Sequence, residues 1–218
     1  MKQIIFIFIL FSAVIDSYSQ NLTKGLIIRW KDTVDVSFDI PVGLNSEEIL
    51  FRKIQRKIKY YNIKGKKKVL KPSDASEIHI YFKGDTIRML TREDFSVVPC
   101  ETCIKRYAFL KVVVEGELSL FEHHISPGMY GSLPWQDLKP GDPINNKGIY
   151  YYYQKGNSQL SCPTGYKRLI EYFSDCKELV KWFNDKEYRK RYKKSIKNNE
   201  ETKELLKIVN FYNTNCAQ

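Results

Sequence analysis

Five cysteines, three histidines and two dense runs of lysine and arginine are the residues of this 218-residue chain whose chemistry could set its function. Cys100 and Cys103 stand as CETC. That spacing suits a thiol–disulfide oxidoreductase, whose attacking thiolate is stabilised at a helix N-terminus. The surroundings oppose it: IKRYAFLKVVV follows and reads as a strand, no βαβ pattern frames it, and Glu101 disfavours a thiolate. A zinc site needs a second close pair of ligands, and only Cys162 lies within reach of that role. The plainer expectation is a structural bridge, either Cys100–Cys103 or one of the two bonded to Cys162.

Glu122-His123-His124 is the one cluster suited to acid–base work or metal binding. It lacks the HExxH spacing that sets two histidines on one helical face. On a strand, adjacent residues point to opposite faces, so His123 and His124 are not expected to converge. His79 alternates with apolar residues and reads as a partly exposed sheet position. GxSxG, Walker and GxGxxG patterns are absent, so no cofactor is expected, and Asp137 and Asp142 sit singly in a Pro/Gly-rich stretch.

The basic charge is concentrated. Residues 51–71 hold ten Lys/Arg and no acid, and residues 186–197 hold seven against one Glu, within a net charge of +11. Lys66, Lys67 and Lys68 fall at an expected turn, with Tyr60 and Tyr61 nearby. Arg189, Lys190 and Arg191 form the centre of the second run. If both runs share one side, their summed field attracts polyanions, such as an anionic glycan, lipid head groups or an acidic protein. The alternative is that lysine-rich turns and helix ends are solvated faces that maintain solubility.

The elements that position these residues begin after residue 19. Residues 1–19 read as a secretory signal: Lys2, an apolar run from Ile4 to Ile15, then Ser17 and Ser19 before a cut at Gln20. The run is short of the roughly 20 residues a membrane helix needs. No later stretch reaches that length, and no cysteine stands at the cut to carry a lipid. Periplasmic or extracellular residence follows, oxidising enough for disulfides and outside the reach of nucleic acid.

From 22 to about 160 the pattern is that of strands. Leu26–Trp30 leads through Lys31-Asp32 into alternating Val34, Val36 and Phe38. Ile78, Ile80 and Phe82 turn at Gly84-Asp85 into 86–90. Residues 107–114 and 117–121 flank Glu115-Gly116, a strong hairpin signal. Residues 125–148 read as a long loop, and 149–153 as an aromatic strand. In 46–61, Leu50, Ile54, Ile58 and Tyr61 fit a helical stripe, but 57–61 with Gly65 and Val69-Leu70 equally fits a hairpin. After Cys162-Pro163 the period becomes helical, with Tyr166, Leu169, Ile170 and Phe173 on one face. Asp175 and Glu178 have the spacing of a capping box opening a second helix. A third starts near Asn199, with Glu200, Glu201 and Glu204 suited to its positive end and Leu205, Ile208, Val209 and Tyr212 as its buried stripe. Cys176 opens the second helix and Cys216 follows the third. In an antiparallel pair those ends are neighbours, which predicts a Cys176–Cys216 disulfide worth about 4 kcal/mol on the chain-entropy model.

Several segments together, GLIIRWKDTVDVSF (25–38), IKYYNIKGKKKVLKPSDASEI (58–78), IRML (87–90), FLKVVVEGELSLF (109–121), EYFSDCKELV (171–180) and IVNFYNTNC (208–216), resemble a family of uncharacterised exported bacterial proteins. The resemblance implies no activity, cofactor or catalytic residue. It implies strand, Gly-Lys turn, strand over 55–70. The chain departs from the family pattern at CETC and at Cys162.

The expectation is thus one α+β domain: a signal peptide over 1–19, a β-rich part over 20–163 with a curved, mostly antiparallel sheet, and a helical part over 164–218 with about three helices. Functionally it favours a non-enzymatic binding or interaction module of the cell envelope. An exported enzyme is the alternative, either an oxidoreductase at Cys100/Cys103 or a hydrolase or metal site at His123/His124.

Overall fold

The computed structural model describes residues 22–43, 48–94, 106–124, 149–162, 165–198 and 200–217. The signal segment, Cys100, Cys103 and the loop carrying Asp137 and Asp142 lie outside the described residues.

Among the described residues, nine antiparallel strands form one sheet. They are β1 (Leu22–Ile28), β2 (Thr33–Asp39), β3 (Ile58–Tyr61), β4 (Lys67–Leu70), β5 (Glu77–Phe82), β6 (Asp85–Asp94), β7 (Arg106–Val114), β8 (Leu118–His124) and β9 (Ile149–Lys155). Their order across the sheet is β4-β3-β2-β1-β5-β6-β7-β8-β9. One turn of helix, α1 (Phe51–Ile54), precedes β3. Four helices follow the sheet: α2 (Gly165–Tyr172), α3 (Lys177–Asn184), α4 (Lys186–Lys197) and α5 (Glu201–Asn215). The α+β class with a curved antiparallel sheet is the one read from the sequence. In the ambiguous 46–61 stretch the hairpin alternative holds: Ile58 and Tyr61 lie in β3, paired with β4, and the helical stripe is reduced to the single turn Phe51–Ile54. The added helix, α4, is the second basic run.

The hairpins follow from local chemistry. In the β3–β4 turn, Gly65 N–H bonds Asn62 O at 2.8 Å, and Lys66 N–H bonds the Asn62 side chain at 2.9 Å. Gly65 takes φ +71°, which glycine adopts without a Cβ penalty. Gly25 serves a different need. A Cβ there would run into His79 O on β5 and the Phe38 ring, so β1 and β5 pair closely only because it is glycine.

Burial divides the sheet into three cores. Ile27, Phe38, Ile54, Ile58, Leu70, Ile78, Ile80, Met89 and Phe109 fill the first, inside the roll of β1–β7. Leu118, Leu120, Tyr151 and Tyr153 meet Leu169, Phe173, Leu179, Phe183, Leu205, Ile208 and Val209 in the second, beneath the helices. Leu90, Ala108, Leu110, Phe121, Tyr150 and Tyr152 form the third, on the opposite face. Tyr150 to Tyr153 are all buried because alternate rings serve opposite faces.

Two side-chain amides hold β8 at its ends. The β7–β8 register stops at Lys111↔Glu122, although both strands run on. Gln55, 1% exposed, enters there. Its carbonyl accepts Phe109 N–H at 2.9 Å, its Nε2 donates to Glu122 O at 3.1 Å, and its Oε1 accepts His124 N–H at 2.8 Å. At the other end, Asn213 of α5 accepts Leu118 N–H at 2.7 Å and donates to Leu118 O at 3.0 Å.

The second helix starts differently from expectation. Cys176 is the N-cap of α3 and no side chain caps it. Asp175 is drawn away, accepting from Lys155 Nζ and from Tyr212 Oη, each at 2.6 Å. Two strong donors on neighbouring elements outcompete the backbone cap.

Replacing Gln55 with Leu strips partners from a buried carbonyl and a buried N–H, each costing about 1–3 kcal/mol. Urea unfolding is expected to show a loss of about 2–4 kcal/mol. A change below about 1 kcal/mol overturns this role for Gln55.

Candidate functional site

The disulfide joins Cys176, at the start of α3, to Cys216, at the end of α5, with Cα atoms 5.4 Å apart. This is the pairing expected from the helix ends. It ties the helical layer together and lies within the second core. Among the described residues, the one grouping of three residues that could share an ion is Cys176, Glu178 and Cys216. Both of its sulfurs are spent in the disulfide. Cys162 is half-buried and packs against the third core.

The two neighbouring histidines separate as strand geometry requires. His123 is buried on the face of Tyr152, with ring centroids 6.2 Å apart. His124 lies on the other face, its ring 4.9 Å from that of Phe51. It shares that face with Glu122, two residues away. Glu122 Oε2 accepts from Lys111 Nζ at 2.9 Å and stands 3.5 Å from His124 Nε2. Burial pushes the Glu122 carboxyl up, but the His124 hydrogen bond and the Lys111 charge prevail and hold it below the ordinary carboxylate range. The Lys111 ammonium lies 5.2 Å from the Phe51 ring centroid. Lys111, Glu122 and His124 therefore form a small, nearly charge-balanced cluster between the first and second cores. His79 is a partly exposed sheet residue, as expected. It contacts Glu77, which also accepts from Arg88 Nε at 2.7 Å.

The basic runs occupy different parts of the structure. The β3–β4 hairpin is the edge of the sheet, whereas α4 packs with the helices over β8 and β9. In 51–71, nine of the ten basic residues are exposed, and Arg56 is half-buried. Lys67 pairs with Asp39 at 3.3 Å and lies over the Tyr61 ring. Lys66 and Lys68 are exposed, as is Lys64, which the sequence reading did not single out. No ion pair among the described residues engages these three. Tyr60 is buried in the first core and Tyr61 is half-buried.

The second triplet is different. Arg189 is half-buried and structural: its Nε donates to Phe183 O, its guanidinium covers the Tyr166 ring, and its carbonyl accepts Tyr166 Oη at 2.8 Å. Lys190 pairs with Glu187 at 2.7 Å, and Arg191 lies over Tyr188. Of the two runs, the edge hairpin leaves more charge free for a partner.

Two carboxylates expected at the start of the last helix, Glu201 and Glu204, are buried. Glu201, placed at the positive end of α5 as expected, is 2% exposed. Its Oε2 has no hydrogen-bond partner among the described residues. The phenols of Tyr153 and Tyr192 lie in its field. Burial pushes its carboxyl up to about 7.

Compared with models of protein families, with curated proteins and with solved structures, the chain matches none.

The raised Glu201 carboxyl favours the folded state at low pH. Its contribution falls as pH climbs from the unfolded value of 4.5 through about 7. The wild type is expected to lose about 3 kcal/mol relative to Glu201→Gln over that interval. Urea unfolding of both proteins across the pH range checks this, and parallel curves overturn it.

Proposed function

We propose that the chain is an exported binding protein of the cell envelope that engages an anionic partner through its β3–β4 edge hairpin. Export rests on the signal-like residues 1–19 and on the resemblance to an exported family. A Cys176–Cys216 disulfide is compatible with an oxidising compartment.

One observation carries the binding reading. The hairpin and its flanks, residues 51–71, hold ten basic residues and no acid, and nine of the ten are exposed. Like charges crowded on one edge repel each other and raise the local positive potential, which an anionic surface relieves.

Catalysis has narrower support. An enzyme built on Lys111, Glu122 and His124 has a carboxylate that orients an imidazole. Among the described residues no third metal ligand joins it.

The test is binding to heparin, a soluble sulfated polysaccharide, at low and high salt. The wild type is expected to bind at low salt and release at high salt. Lys64→Glu/Lys66→Glu/Lys68→Glu lowers the net charge from +11 to +5, since each substitution removes two units. It is expected to weaken binding at least about tenfold, because each surface lysine contributes about 1 kcal/mol near an anionic surface. Unchanged binding by this variant overturns the proposal.

A further inference from the structure

We infer that the anionic partner is a lipid bilayer surface, entered by the side chains of Trp30 and Ile63. This rests on the basic-hairpin reading above and deepens it by naming the partner. The starting point is exposure. Ile63 is 85% exposed and Trp30 is 81% exposed, well ahead of Val69 at 52% and Leu22 at 50%. Single exposed apolar side chains are ordinary on protein surfaces. These two differ in where the register places them.

Both occupy turns, and both turns open toward the same end of the sheet. β1 pairs with β2 from Leu22↔Asp39 to Ile28↔Thr33, so Trp30 and Lys31 form the turn beyond Ile28. β3 pairs with β2 from Lys59↔Asp39 to Tyr61↔Ser37, running toward that same end. Its turn, 62–66, therefore projects the same way. The Trp30 turn lies about four residues, roughly 13 Å, beyond the Tyr61↔Ser37 pair. A sheet tilted to a surface seats both turns at once.

Each turn is closed by its own bonds. Arg29 N–H donates to Asp32 O at 2.8 Å, and the two side chains pair at 3.2 Å. Asn62 and Gly65 lock the other turn through the bonds described above. The apolar side chains are exposed on short turns that hydrogen bonds close. Beside them stand the exposed amines of Lys31, Lys64 and Lys66. Asp32, the acid of the first turn, is already neutralised by Arg29.

Charge and apolarity together select the partner. A sulfated polymer or an acidic protein surface satisfies lysines, but neither offers hydrocarbon to an exposed indole and an isoleucine. An anionic bilayer offers both. Its head groups attract the lysines, and tryptophan favours the boundary between head groups and acyl chains. Ile63 gains by leaving water at the same depth. The occupant is thus a peripheral contact at the interface, made by two turns.

The experiment compares vesicles of phosphatidylglycerol and phosphatidylcholine in equal parts, vesicles of phosphatidylcholine alone, and heparin. The wild type is expected to co-sediment with the anionic vesicles and to bind the neutral ones at least about tenfold more weakly. Trp30→Ser/Ile63→Ser is expected to lose at least about tenfold in affinity for the anionic vesicles while binding heparin as the wild type does. Acyl-chain bromination should quench tryptophan emission in the wild type and not in Trp30→Phe, which keeps an apolar ring at the turn. Heparin binding without vesicle binding overturns the lipid inference and leaves the basic-hairpin reading standing. Vesicle binding that survives the double substitution also overturns it. Failure to bind either probe overturns both.

Discussion

The ladder between β7 and β8 is shorter than either strand, and the backbone of β8 continues beyond it at both ends. These polar groups are sheltered from solvent, and leaving them bare is expensive. Side-chain amides answer this because Asn and Gln each carry a donor and an acceptor in one plane, as a peptide does. Gln55 supplies them at Glu122 and His124, and Asn213 supplies them at Leu118. Both arrive from elements remote in the chain. Gln55 comes from the segment before the edge hairpin, so the sheet must roll until that segment reaches β7 and β8. Asn213 comes from the last helix, so α5 must lie along the start of β8. One strand therefore fixes the curvature of the first core and the docking of the second.

The polar cluster of Lys111, Glu122 and His124 has its position for the same reason. The first core ends at Phe109 and the second begins at Leu120 and Tyr151, on the same sheet face. The Gln55 amide forces the residues between them to meet at a place already occupied by polar groups. Glu122 can stay ionised there because Lys111 and His124 bear on the same carboxylate oxygen. Phe51, carried in by the turn preceding Gln55, lays its ring against the Lys111 ammonium and the His124 imidazole. This is an economical way to join two cores, and it accounts for these residues before any chemistry is asked of them.

Local information was legible in the sequence and remote information was not. The hairpins at 107–121 and 77–90 announce themselves by alternation and turn residues, and the stripe of α5 by its spacing. Cys176 and Cys216 could be paired because helix ends are predictable. α4 was hidden because its buried side is carried by Tyr188, Tyr192 and Ser195 within a run of lysine and arginine. Gln55 gave no signal at all, since its side-chain partners lie 67 and 69 residues away. The burial of Glu201 was not legible, because a helix start is where a carboxylate normally faces water. That the Lys66–Lys68 hairpin lies at the sheet edge likewise depends on which strand ends the sheet, and composition does not encode strand order.

Lysines on a sheet edge have a structural use that must be weighed against recognition. An unpaired edge invites another strand, and charged side chains along it discourage that pairing. β4 is such an edge, and Lys67 and Lys68 stand along it. This protection explains lysines on the strand itself. It does not explain Lys64 and Lys66, which lie in the turn before the strand begins, nor Ile63 between them and β3. An isoleucine left almost wholly in water beside an open edge works against protection, since it adds an apolar contact to any strand that approaches. The turn needs Asn62 and Gly65 for its geometry, and an exposed position of this kind accepts almost any polar residue. The combination of Ile63 with flanking lysines is therefore costly as edge protection and favourable as a contact surface, which places the recognition chemistry in the turn and leaves the guarding of the edge to β4.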